Sequence, residues 1–133
     1  MEQISRDEIK VRGFRRVLKS LKYSFEGLKY AYKYEQSMLI HVVFTVIAIV
    51  TGIILKITFI DWAIIFIASG SILAIELINT AIEAAIDLVT LEKRDLAKIA
   101  KDCGSAATFV MSVLSVIACL IVFMPYFVEI LGL

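Results

Sequence analysis

QSMLIHVVFTVIAIVTGIIL, residues 36–55, contains no Asp, Glu, Lys or Arg, and neither does AATFVMSVLSVIACLIVFMPYFV at 106–128. A helix of about 20 residues spans ~30 Å, the thickness of a bilayer's hydrocarbon core, so both runs can cross a membrane. The rest of the chain agrees with them. Of 133 residues, 60% are hydrophobic and 20% charged, with a mean hydropathy of +0.88, whereas an ordinary soluble domain is about 45–50% apolar. At roughly 100–200 residues per domain, residues 1–133 are expected to make one membrane-embedded unit, with no room among them for a separate catalytic domain. Any activity must sit in or beside the bilayer.

Working outward from the first run, Lys56 to Asp61 reads as a short turn. Trp62 then opens a second helix at a membrane–water boundary, where its ring is favoured. The spacing predicts membrane helices over about 38–55, 62–85 and 104–123. The third stops near Pro125, whose ring and missing N–H break a helix, and a polar segment, Thr90 to Asp102, precedes it. Upstream, Phe14, Val17, Leu18, Leu21, Phe25, Leu28 and Tyr32 recur at helical steps. Arg15, Arg16, Lys19, Lys22 and Lys29 occupy the other faces, so 14–34 reads as an amphipathic surface helix, apolar side toward lipid. The fold class is all-α and polytopic.

Nine of the 14 basic residues precede the first run, Lys56 lies in the first loop, Lys93, Arg94, Lys98 and Lys101 follow the second helix, and none comes later. By the positive-inside rule the N-terminus is cytoplasmic and the C-terminus external. A basic tract beside membrane helices marks a flank facing anionic lipid, so no nucleic-acid partner is expected. That tract is too long to begin a signal peptide, so the first run is expected to be retained. Cys103 and Cys119 have neither CxxC nor zinc-ligand spacing and read as small apolar residues.

The second helix carries the chemistry. At 100° per residue, Glu76, Asn79, Glu83 and Asp87 fall within one ~80° arc. Glu76 follows Trp62 by 14 residues, which puts it ~21 Å from the outer surface and ~9 Å inside the inner one. An ionisable residue there is costly unless paired, protonated or facing a cavity, and so marks a candidate functional site. The alternative is that these groups only glue helices together. Lys98, Lys101 and Asp102 lie at the inner end of the third helix. Carboxylates, basic groups and an interfacial position are what phosphoryl transfer needs: magnesium on oxygen ligands, phosphate charge neutralised and a base for the acceptor hydroxyl. The six glycines are too widely spaced for a G-x-G-x-x-G or P-loop motif, and no H-R-D or D-F-G set is present. His41 is the only histidine, so one chain holds no multi-histidine metal site.

ELINTAIEAAID at 76–87 and AKDCGSAA at 100–107, with GFRRVLKSLKYSFEGLKYAYKYE at 13–35 upstream, resemble the signature of the small bacterial diacylglycerol kinase family, which includes the undecaprenol kinases. The likeness covers nearly the whole chain. It implies a homotrimer of three-helix subunits, each with a surface helix, in the bacterial inner membrane. ATP and Mg²⁺ would be the cofactors and a lipid alcohol the acceptor.

Carried over by motif position, the resemblance makes Glu76 the general base and Glu35 and Glu83 the metal ligands. Arg16, Tyr23, Lys101 and Asp102 would line the nucleotide site, with Glu92 a further contact. Asn79 and Asp87 would support it, and Ser105 would lie near the lipid. The chain departs from the diacylglycerol-specific branch at His41, where that branch has a second glutamate, and at Lys22, where it has a glycine. His41 is similar to the undecaprenol kinase branch and CGSAA at 103–107 to the diacylglycerol branch. The expectation is a lipid kinase acting on undecaprenol, diacylglycerol or both, with His41 touching the acceptor. The alternative from another class is a non-catalytic membrane scaffold or transporter subunit.

Overall fold

The computed structural model describes residues 13–132 and comprises four helices: α1 (Phe14–Tyr34), α2 (Gln36–Leu55), α3 (Phe59–Val89) and α4 (Asp95–Leu131). Arg6, Lys10 and Arg12 of the basic tract lie outside the described residues. Helices α2, α3 and α4 are each long and apolar enough to cross a membrane, and no strand occurs among the described residues. This is an all-α membrane protein.

The α2–α3 turn is defined atom by atom. Lys56 takes the left-handed conformation (φ 54°), while Lys56 N–H donates to the Ile53 carbonyl (3.3 Å) and Ile57 N–H to that of Gly52 (3.2 Å). This pair of bonds satisfies the last carbonyls of α2 and reverses the chain. Thr58 and Asp61 then form a reciprocal capping box at the start of α3. Tyr126 of α4 donates its hydroxyl to Asp61 Oδ2 at 2.6 Å, fastening the third helix to the same turn.

Three differences from the sequence reading follow. Helix α4 does not stop near Pro125 but continues to Leu131. One missing N–H costs a single backbone bond, and the flanking residues are held by buried Val122 and Phe123 and by the Tyr126–Asp61 bond. Helix α4 also starts at Asp95, nine residues before Gly104. Its polar first turns looked like loop, but Leu96, Ile99 and Cys103 keep helical spacing and Lys98 pairs with Asp102 four residues on. The true connection is only 90–94. Finally, α3 begins at Phe59 and runs 31 residues, ~46 Å, well beyond a hydrocarbon core. Glu76 therefore sits ~26 Å along the helix, and Glu83 and Asp87 lie further toward its end.

Helices α3 and α4 run antiparallel along their length: Asp61 meets Tyr126, Ala68 meets Ser115, Asn79 meets Gly104 and Asp87 meets Lys101. Helix α2 runs antiparallel to α3, Gly52 against Trp62 and Ser37 against Glu76. A Cβ on Gly52 would lie 2.9 Å from Trp62 Cη2, so glycine is what lets the indole seat there. Ala48, Ile57, Ile65, Val122 and Phe123 form the core at this turn end, with Trp62 and Cys119 packed against it. The packed core and the Glu76–Asp87 face thus occupy opposite ends of the bundle. Helices α2 and α4 both lean on α3 more than on each other. Between them runs an apolar groove of about 560 Å³, lined by His41, Phe44, Ile72, Ser115, Leu120 and Phe123 among others.

In α1 only Ala31 is buried, at 0% exposure, and the apolar stripe from Phe14 to Tyr32 finds no cover among the described residues.

Candidate functional site

Glu76 is 2% exposed and is one of only two buried polar residues among those described, the other being Thr80. A buried carboxylate needs partners. Ser37 Oγ, from the first turn of α2, donates to Glu76 Oε1, whereas Glu76 Oε2 is buried with no hydrogen-bond partner. Thr80 spends its hydroxyl on the Glu76 backbone carbonyl at 3.0 Å and leaves the carboxylate alone. The site therefore holds a carboxyl group with one oxygen fixed and the other unclaimed.

One turn along, Asn79 Nδ2 donates to Glu83 Oε1 at 3.2 Å, and Asn79 Oδ1 is the second buried orphan. It faces the backbone of buried Gly104, where any Cβ would collide with it. The next turn carries Asp87, whose Oδ1 accepts from Lys101 Nζ of α4 at 2.5 Å. Glu76, Asn79, Glu83 and Asp87 thus share a face, as their 100° spacing requires, and α4 closes on it.

Glu35 joins them from the break between α1 and α2, where its backbone is extended (φ −102°, ψ 111°). Burial raises the Glu35 carboxyl above its ordinary value, and the like charges of Glu83 and then Glu76 raise it further. Three carboxylates from two parts of the chain therefore share one field. Their mutual repulsion opposes the arrangement unless a proton or a cation relieves it. Among the described residues, no group of three or more His, Cys, Asp or Glu is arranged to hold a metal by itself. Glu35 and Glu83 could instead hold Mg²⁺ between them, an ion that usually takes one or two protein carboxylates together with substrate phosphates and waters.

The remaining expected residues are more scattered. Lys101 is half-buried in its pair with Asp87, and Asp102 is exposed, paired with Lys98. Glu92 lies in the 90–94 connection, exposed and held by Arg94 at 2.9 Å. Arg16 and Tyr23 are exposed on α1, ~28 Å and ~18 Å from Glu35 along the helix axis. A single chain does not bring them to the carboxylates. His41 is half-buried at the groove, one turn from Ser37. Ser105 is exposed next to Gly104 and does not line the groove.

Sequence reasoning missed Ser37 and Gly104 as parts of the site. A signal for Ser37 existed: a hairpin centred on residue 57 puts residues 37 and 77 at equal height, so a serine near the start of α2 must lie beside Glu76. Gly104 was read as a helix start and as part of the AKDCGSAA motif, with no role in the site assigned to it.

Residues 22–123 match the family model described as prokaryotic diacylglycerol kinase. That stretch includes every residue of the candidate site except Arg16. The undecaprenol kinase of Bacillus subtilis is 34% identical over 110 residues, covering 83% of this chain and 89% of the relative. A diacylglycerol kinase of Helicobacter pylori is 37% identical over 101 residues, 76% of this chain and 79% of the relative. The diacylglycerol kinase of Escherichia coli K12 is 30% identical over 115 residues, 86% and 94% respectively. A family model matched over residues 22–123 and relatives at least 30% identical over most of both chains agree, and the chain belongs to the prokaryotic diacylglycerol kinase family.

Proposed function

We propose that this protein transfers the γ-phosphoryl group of ATP to the primary hydroxyl of a membrane lipid alcohol, with Glu76 as the general base. The observation that carries the assignment is the unclaimed Oε2 of buried Glu76 on a helix apolar enough to cross a membrane. In glue between helices both oxygens would find donors; a base needs one left free to take a proton.

In this reading Glu76 Oε2 accepts the hydroxyl proton as the lipid oxygen attacks the γ-phosphorus. The bond from that phosphorus to the bridging oxygen breaks, and ADP leaves. Glu35 and Glu83 would hold Mg²⁺, Asn79 steering Glu83 through their 3.2 Å bond. When bound, the ion offsets the phosphate charge and relieves the repulsion among the carboxylates. Lys101, fixed by Asp87, and Asp102 border the nucleotide, with Glu92 at its edge. Catalysis is then mostly positioning and charge stabilisation.

The acceptor's tail would lie along the α2–α4 groove, with His41 at the headgroup and Ser105 near it. Imidazole in place of a carboxylate offers a glycerol headgroup fewer strong acceptor bonds. A polyprenol has one hydroxyl and a long apolar tail, so undecaprenol is the favoured acceptor over diacylglycerol.

The assembly proposed is a homotrimer in the bacterial inner membrane with a cytoplasmic N-terminus. Gly70, Ala74, Ala81 and Ala85 leave an exposed small-residue stripe on α3, which suits close helix packing between copies. A neighbouring copy would also bring its own Arg16 and Tyr23 within reach of a site that one chain leaves incomplete. Helix α1 lies in the interface, its apolar stripe in lipid and its lysines and arginines toward anionic headgroups. The test is ATP consumption by purified protein in detergent, with and without an added lipid alcohol. Lipid-dependent consumption supports the kinase; no consumption with or without the lipid supports the scaffold.

A further inference from the structure

We infer that Ser37 is the positioning residue for the general base, fixing Oε1 of Glu76 so that Oε2 alone is offered to the acceptor hydroxyl. The inference rests on Glu76 being the base. Ser37 is the second residue of α2, and a serine in a first turn ordinarily bonds backbone groups of its own helix. Here no side chain caps α2, and the Ser37 hydroxyl crosses to a residue 39 positions away.

No other side chain does this work among the described residues. Asn79 directs its amide N–H to Glu83, and Thr80 bonds the Glu76 backbone. A glutamate has three side-chain torsions, so without Ser37 the carboxyl group would be free to rotate in its pocket. The group would then sample other torsions, and its basic oxygen would be misdirected in much of the population. Near-attack geometry is what such a bond secures. Ser37 is also one helical turn from His41, on the α2 face that borders the groove. The proposed acceptor hydroxyl would therefore reach the base beside this serine.

The experiment uses the full chain, purified in detergent, with Mg²⁺ATP and undecaprenol or diacylglycerol in mixed micelles. A hydrogen bond to a charged group corresponds to about 10- to 100-fold in rate. Ser37→Ala is therefore expected to lower kcat by about 10- to 100-fold, with KM for both substrates and the melting temperature close to wild type. Ser37→Thr, which keeps the hydroxyl, should recover most of the rate. In a Glu76→Gln background, Ser37→Ala should reduce the residual rate no further, because the two residues act as one unit. Wild-type kcat in Ser37→Ala overturns the inference. So does an equal loss from Ser37→Ala with and without Glu76, which would make Ser37 structural. If Ser37→Ala does not fold, Ser37→Cys, with similar bulk and a weak donor, must show an intermediate kcat; full turnover overturns the inference. Wild-type turnover by Glu76→Gln alone would instead overturn the base assignment on which this inference rests.

Discussion

Gly104→Ala adds one methyl group, and the structure states where it goes. The new Cβ would run into Asn79 Oδ1, 3.4 Å from Asn79 Cγ and 3.9 Å from Ile82 Cδ1. Helix backbone on both sides resists moving, so the Asn79 amide must swing. Its 3.2 Å bond to Glu83 then breaks. Overpacking of this kind costs about 1–3 kcal/mol, visible as a lower melting temperature in detergent. The larger effect falls on catalysis, since a ~1 Å misplacement of a positioned group can cost ~10²-fold. We expect kcat to fall by about that factor and the Mg²⁺ requirement to rise, because Glu83 loses its steering bond. Adding Asn79→Ala removes the collision, so the double variant should regain thermal stability while its turnover stays low. Wild-type turnover and Mg²⁺ dependence in Gly104→Ala would refute the reasoning, as would a double variant that regains activity.

Two further predictions concern the metal and the lipid. Glu83→Asp should lower turnover at limiting Mg²⁺ and recover part of it at excess, because one of two carboxylate ligands is displaced and not lost; superimposable Mg²⁺ titrations of variant and wild type would exclude Glu83 as a ligand. In mixed micelles with equal mole fractions of both lipids, wild type should favour undecaprenol and His41→Glu should shift toward diacylglycerol. A wild-type preference for diacylglycerol that the variant leaves unchanged would remove His41 from acceptor selection.

How much of this was legible in the sequence depended on the kind of signal. Charge-free runs at 36–55 and 106–128 marked membrane helices because the bilayer imposes a length and a composition. The Glu76–Asp87 arc followed from helical period alone, since residues on one helix share a face whatever surrounds them. Helix ends were less legible. Pro125 breaks helices in water, yet here Tyr126 beyond it is pinned to Asp61, 65 positions earlier, and only the folded chain shows that bond. Asp95–Asp102 looked like loop because hydropathy dominated the reading over period. Glu35 was carried by resemblance alone; its closeness to Glu83 and Glu76 arises from the break at the α1–α2 junction. Arg16 and Tyr23 were expected in the nucleotide site by motif position, but they are exposed and lie ~28 Å and ~18 Å from Glu35 along α1.

The central claim is that Glu76 takes the acceptor's proton, and the most direct measurement is transfer of label from [γ-³²P]ATP to a lipid alcohol by wild type and Glu76→Gln. Glutamine keeps the shape and the Ser37 bond and removes the basic oxygen. The account predicts labelled lipid phosphate from wild type, and from Glu76→Gln a rate lower by about 10²–10⁴-fold with an unchanged melting temperature. Glu76→Gln that labels lipid at the wild-type rate would contradict it and leave Glu76 as a group that holds helices together.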